Sequence, residues 1–309
     1  MSDTGLHHVT AFSGTPARNL DFYTRVLGLR LVKKTVNFDD PGTYHLYYGD
    51  ETGRPGTILT FFPIPHAAPG RVGPGETSET AFRVPRSCIG WWVHRLVAHG
   101  VEHDAPLPVF GAPTLRFRDP DGMKLALVGV DEVGNATAWS GGDVPADHAI
   151  RGLHGVTLLL RDVAPTAAIL TDVLGLTESG REGALTRYAG TAETGAVVTL
   201  QADADTPRGR QGAGSVHHIA FRAAEDAAQA TMAARLTEAH GLQVTEQRDR
   251  NYFRSVYFRE PGGVLFEIAT DAPGFAVDEP VSELGEALKL PENLERHRDA
   301  IERALPSLA

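Results

Sequence analysis

The chain repeats itself. Residues 5–29, GLHHVTAFSGTPARNLDFYTRVLGL, align without a gap to residues 152–176, GLHGVTLLLRDVAPTAAILTDVLGL. Gly5, Leu6, His7, Val9 and Thr10 fall on Gly152, Leu153, His154, Val156 and Thr157, each 147 positions on. Thr24, Val26, Leu27, Gly28 and Leu29 fall on Thr171, Val173, Leu174, Gly175 and Leu176 at the same spacing. A second pair, RDPDGMKLALV at 118–128 and REPGGVLFEIA at 259–269, is offset by 141, as is AHGV at 98–101 with AHGL at 239–242. Such a repeat constrains the fold more than any local propensity, because every copy must bury the same face against a neighbour. Modules 1 and 3 are alike and modules 2 and 4 are alike, so the chain reads as a duplicated two-module unit.

Each module reads as a strand, a helix and further strands. HHVTAF alternates and carries β-branched residues, as a strand should. Thr15-Pro16 supplies a helix cap followed by proline at the first helical position, and Leu20, Tyr23 and Leu27 follow at helical spacing up to Gly28. The expected fold is α+β: four βαβββ modules at 1–64, 78–130, 151–201 and 214–270, then a tail, 271–309, with a short helix in PENLERHRDAIERAL. The joints at 65–77 and 201–214 are turn-rich, and 131–150 link the halves. Exposed module edges admit a homo-oligomer.

Bulk properties exclude several classes. With 309 residues, 42% of them hydrophobic, the chain can bury a sizeable core. A net charge of −10 and no basic stripe argue against a nucleic-acid partner. No apolar run approaches the ~20 residues of a membrane span, and the polar opening MSDTGLHH does not read as a signal peptide, so a cytoplasmic location is expected. Cys88 stands alone, which excludes an internal disulfide and a sulfur-rich metal site.

The first strand keeps a double histidine at 7–8 and 217–218 but reads GLHGVTL at 152–158. Glu267 lies in the otherwise apolar VLFEIATD, where a carboxylate is costly unless paired or bound to a metal. Its counterparts are Ala126 in module 2, Thr60 in module 1 and Thr199 in module 3; the counterparts of His8 and His218 are Gly155 and a small residue near Thr80 or Ala81. Three donors remain from eight positions: His8, His218 and Glu267. His154 aligns with His7 and persists where no site is expected, which assigns the first histidine of each pair a structural use and the second the metal. Two histidines and a carboxylate on one face suit non-haem Fe(II), and also Mn(II), Zn(II) or Ni(II). If the three meet, modules 1 and 4 must share one β-barrel and modules 2 and 3 the other.

GLHHVT, YHLYYGDETGRPGTILTFFP, VHHIAF and NYFRSVYFREPGGVLFE resemble the vicinal oxygen chelate superfamily, also called the glyoxalase/bleomycin-resistance/dioxygenase superfamily. Within it they resemble the ring-cleaving dioxygenases of para-hydroquinones, over nearly the whole chain. The resemblance implies two open β-barrel domains and Fe(II)-dependent extradiol-type cleavage of a small aromatic diol by O2, Mn(II) being an admissible substitute. Its ligands fall on His8, His218 and Glu267, and its substrate-side residues on His7, Thr10, His217, Arg250 and Tyr257. His217 or Tyr257 would relay a proton, Arg250 would stabilise developing negative charge, and Thr10 and His7 would orient the ligands. Read without the resemblance, Arg250 in EQRDRNYF is a solvated charge and Tyr257 in SVYF is strand core. His45, His94, His99, His240 and His297 read as structural or surface residues, and Trp91 and Trp92 as helix core.

Two rival readings keep the same fold. One is a glyoxalase-type isomerase or a metal-dependent transferase, which needs a metal without redox cycling. The other is a small-molecule binding protein of the drug-resistance type, which needs no triad.

Overall fold

The computed structural model describes residues 3–134 and 138–308. Its sixteen strands form two eight-stranded sheets. Module 1 contributes β1 (Leu6–Ser13), β2 (Arg30–Asn37), β3 (Asp40–Gly49) and β4 (Ile58–Pro63); module 2 contributes β5 (Glu76–Pro85), β6 (Leu107–Val109), β7 (Ala112–Arg118) and β8 (Lys124–Val130). Module 3 contributes β9 (Leu153–Leu160), β10 (Thr177–Glu182), β11 (Leu185–Ala189) and β12 (Val197–Ala202); module 4 contributes β13 (Val216–Ala223), β14 (Arg248–Asp249), β15 (Arg254–Arg259) and β16 (Leu265–Thr270). The strand orders are β14-β15-β16-β13-β1-β4-β3-β2 and β10-β11-β12-β9-β5-β8-β7-β6. Modules 1 and 4 therefore share one curled half-barrel and modules 2 and 3 the other, as the placement of the three donors requires.

One helix follows the first strand of each module: α1 (Pro16–Asp21), continued by a π-turn through Phe22–Val26, then α2 (Ile89–Ala98), α3 (Ala164–Asp172) and α4 (Asp226–His240). Gly28 and Gly175 follow the helices of modules 1 and 3 with φ of +69° and +70°, a conformation open to glycine and costly for other residues. Trp92 is fully buried, its Nε1 donating to the His148 carbonyl at 3.0 Å, so this part of α2 is core. The main apolar core runs through both halves, from Leu6, Tyr23 and Phe61 to Leu127, Leu158 and Phe266.

The central strands pair antiparallel, β1 with β13 and β5 with β9, and each pair has two register shifts. The residues skipped are His7 and His217 in one pair, Ser78 and His154 in the other. A bulge releases a strand from strict alternation of faces. It lets adjacent histidines turn toward one cavity, and the same bulge recurs in all four modules.

The tail lies on the half formed by modules 1 and 4. Lys289 N donates to the Lys34 carbonyl at 2.9 Å, so the tail adds to the β2 edge. Two short helices, α5 (Glu292–Glu295) and α6 (Arg298–Ala304), stand where one was expected, and Ile301 and Leu305 pack on Val36. Lys33 on β2 is fully buried, its Nζ 2.6 Å from Asp278 Oδ1 and 2.7 Å from Glu279 Oε2. Among the described residues, no helix is long and apolar enough to cross a membrane.

Candidate metal centre

β1, β13 and β16 bring His8, His218 and Glu267 together in the first half-barrel. His8 Nε2 is 3.3 Å from His218 Nε2 and 3.5 Å from Glu267 Oε2, and His218 Nε2 is 2.9 Å from the same oxygen. Adjacent ligands on one octahedral face, at metal–ligand bonds of roughly 2.1 Å, sit about 3 Å apart, so the triangle has the size of a facial metal site. All three side chains are buried. Glu267 Oε2 makes no hydrogen bond of acceptable geometry despite its proximity to His218. A buried carboxylate oxygen without a donor is costly, and a cation between the three atoms removes that cost. The donor set fits a divalent metal.

The carboxyl is held in its charged form. Burial works to raise it, but the neighbouring His8 and His218 rings outweigh burial and keep Glu267 well below the usual carboxylate range. The other oxygen, Oε1, accepts a short hydrogen bond from the Ser255 hydroxyl.

Each ligand is steered by the histidine before it. His7 Nδ1 lies 2.9 Å from His8 Nδ1, and His217 Nδ1 lies 2.8 Å from His218 Nδ1. Both ligand rings thus turn Nε2 inward. Coordination through Nε2 leaves the ligand's proton on Nδ1, where it donates to the preceding histidine, whose own proton then sits on Nε2. Burial, then the adjacent ligand ring, pushes His7 well below the ordinary histidine value and His217 down to about 3, so both are neutral. Phe253 packs against His7 and His8 with ring centroids 5.1 Å and 5.0 Å away.

The remaining substrate-side candidates divide. Arg250 and Tyr257 line a cavity of about 100 Å³ beside the triad, with Phe38, Phe62 and Phe253. Arg250 Nε donates to Tyr257 Oη at 3.2 Å, and its other end reaches Asp39 Oδ2 at 3.1 Å across the cavity. Burial raises the Tyr257 hydroxyl well above its usual value, with the Glu267 charge adding to it, so the tyrosine is a protonated donor. Thr10 lies deeper: its Oγ1 accepts from Thr60 Oγ1 at 2.9 Å, and Thr60 is 2.8 Å from His45 Nε2. It therefore reaches the cavity through other side chains.

Two sequence expectations need correction. His45 is part of the cavity wall and sits 2.8 Å from Tyr47 Oη; burial depresses it well below the ordinary value. Strand alternation could have found it, since Tyr47 pairs with Thr60 and His45 is two residues back on the same face. The module 2 counterpart of His218 is not a small residue. Glu79 pairs with Thr157 as His218 pairs with Thr10, and Ala81 pairs with Ala126 as Ala220 pairs with Glu267. An ungapped alignment of SETAFR at 78–83 with HHIAFR at 217–222 sets Glu79 on His218, but at an offset of 139 rather than the 141 of the later strands.

Sequence comparison places this geometry in a family. Two segments, 5–127 and 152–268, match the profile of the Glyoxalase/Bleomycin resistance protein/Dioxygenase superfamily, and the chain belongs to it. The chain is 48% identical over 303 residues to MhqO of Bacillus subtilis (strain 168), which carries the provisional name ring-cleaving dioxygenase; the match covers 97% of this chain and 95% of the relative. It is 34% identical over 307 residues to the chlorohydroquinone/hydroquinone 1,2-dioxygenase of Sphingobium indicum, covering 97% and 95%. A crystal structure of a Bacillus subtilis (strain 168) protein, provisionally named a dioxygenase, superposes with a TM-score of 0.94 at 47% identity, covering 99% of this chain and 97% of that one. These relatives place the chain among the ring-cleaving dioxygenases of the superfamily.

Proposed function

We propose that the chain is an Fe(II)-dependent, extradiol-type dioxygenase of hydroquinones or related phenolic diols. The observation that carries the reading is the buried facial triangle of His8, His218 and Glu267 opening on a cavity with aromatic walls. The 34% identity to a hydroquinone 1,2-dioxygenase supports the substrate class. When bound, iron supplies electron transfer to O2 and a Lewis acid that lowers the pKa of a phenolic oxygen, which no side chain here can do.

The protein's own residues do the rest. An apolar cavity of roughly 150 Å³ takes up one benzene, so the space of about 100 Å³ admits nothing larger than a single ring. Phe62, Phe253 and Phe38 exclude water from the ring faces. His7 and His217 hold the ligand rings, and His217 Nε2–H and Tyr257 Oη–H present hydrogen-bond donors to substrate oxygens. Arg250 stays charged and faces oxygen atoms that gain negative charge during ring opening. Thr10 fixes Thr60 and, through it, His45.

The experiment is anaerobic purification, loading with Fe(II), and O2 uptake measured with hydroquinone. The expected result is one O2 consumed per ring, with the absorbance of a conjugated, ring-opened acid. Turnover of a hemithioacetal or epoxide substrate with Zn(II) and no O2 consumption would instead establish the isomerase or transferase reading.

A further inference from the structure

We propose that the half-barrel of modules 2 and 3 is a second binding site, for a small organic monoanion with an apolar body such as an aromatic carboxylate, and that Arg187 is its anchor. It encloses a cavity of about 690 Å³, within the range of small-molecule sites. The floor of this cavity can be read position by position against the metal centre. Arg187 pairs with Thr199 as Tyr47 pairs with Thr60, and Arg116 pairs with Ala126 as Tyr257 pairs with Glu267. Two tyrosines that flank the triad in one half are thus two arginines in the other.

Among the described residues, Glu79 is the one carboxylate that forms an ion pair with either arginine. Arg116 Nε donates to Glu79 Oε2 at 2.7 Å, so Glu79 balances Arg116. Arg187 donates through Nε to Ser179 Oγ at 3.1 Å and lies 4.5 Å over the Phe110 ring, but makes no ion pair among the described residues. His154 adds no charge, because burial and the nearby Arg83 and Arg187 push it down to about 4. The floor therefore carries one uncompensated cation. Val109, Phe110, Leu185 and Val197 supply apolar wall for a ring or chain. At the rim Glu102, Asp104 and Asp203 outnumber Arg118 and Lys124, which disfavours a polyanion. A guanidinium that keeps its flat fork free while its plane is held by a phenyl ring is well prepared for a carboxylate.

The test uses benzoate as the probe and benzyl alcohol as its uncharged analogue, titrated into the intact protein by isothermal calorimetry. Benzoate is expected to bind saturably at millimolar concentration, and benzyl alcohol at least about tenfold more weakly. Arg187→Gln is expected to weaken benzoate about tenfold or more and Arg187→Lys to restore part of the loss, while Arg250→Gln leaves it unchanged. Amide shifts in the wild-type protein locate the site independently of any variant and are expected at Thr157, Arg187 and Thr199. No saturable binding, equal binding of the alcohol, loss in Arg250→Gln instead of Arg187→Gln, or shifts confined to the triad would each overturn the proposal.

Discussion

The two halves of this molecule have one scaffold and opposite interiors. Both have the same strand order, the same bulges and the same pairing across their centres. Where the first half places His8, His218, Glu267, Tyr47 and Tyr257, the second places Gly155, Glu79, Ala126, Arg187 and Arg116. The first interior is small, aromatic and built around a position for a cation. The second is roomier, and a protein cation, Arg116, binds the one acid that remains. The second interior is thus more than a metal site with its ligands deleted: an acid stands where the first half has His218, and it has a positive partner. A lone, half-buried Glu79 would be partly desolvated without a partner, and Arg116 offsets that cost.

The largest expected difference between the halves is chemical. Glu267→Ala is expected to lower ring cleavage by about 1,000-fold or more and to bring bound metal to background. Glu79→Ala, at the other half's counterpart of His218, should leave metal content and turnover unchanged. Metal analysis and O2 uptake on both variants decide this, and equal loss in both would erase the distinction.

The next concerns the tail, which covers only the first half. Lys33→Ala leaves the buried Glu279 without its ammonium and the exposed Asp278 without its partner, and breaking a buried pair on one side costs about 3–5 kcal/mol. Tyr252 Oη donates to Asp278 Oδ2 at 2.9 Å, so the loss also loosens the segment that carries Arg250 and Phe253. Urea unfolding should show the destabilisation, and an unchanged midpoint would mean the tail is not clamped at Lys33.

Smaller effects separate the bulge residues. His7→Ala and His217→Ala are each expected to weaken metal binding roughly 10- to 100-fold, the usual consequence of freeing a ligand ring. His154→Ala occupies the same bulge in the other half and should leave metal affinity unchanged. Competition with a chelator measures all three. An effect of His154→Ala would show that the bulge histidine acts on the scaffold rather than through its neighbouring ring.

Much of this architecture was legible in the sequence because duplication writes one pattern several times. The repeats gave the modules, and the donors' uneven survival gave the pairing of module 1 with module 4. Glu267 stood out because it breaks an apolar strand. Glu79 was missed although SETAFR at 78–83 sets it on His218 in HHIAFR at 217–222, because that offset is 139 while the later strands repeat at 141. His45 was overlooked although alternation from Thr60 and Tyr47 reaches it. Arg250 could be placed near the cavity only through family resemblance: EQRDRNYF reads as solvated charge, and its partners are Tyr257 on the adjacent β15 and Asp39 in the remote turn between β2 and β3.

Gly155 gives the finest test of the comparison, because it asks whether the second half could regain a ligand where the first has His8. A Cβ built there would lie 2.0 Å from the Val197 carbonyl oxygen, closer than any real contact. His8 stands opposite Ile58 at the corresponding place in the first half and accommodates a full side chain. The two β strands have therefore diverged in backbone spacing as well as in sequence. Gly155→Ala should destabilise the protein by about 1–3 kcal/mol, the range of an overpacked core position, while ring cleavage per folded molecule stays unchanged. Restoring all three donors, with Gly155→His, Glu79→His and Ala126→Glu, should still bind metal more weakly than the natural triad. Stability equal to wild type in Gly155→Ala would mean that β9 and β12 can separate freely, and that the missing side chains alone distinguish the halves.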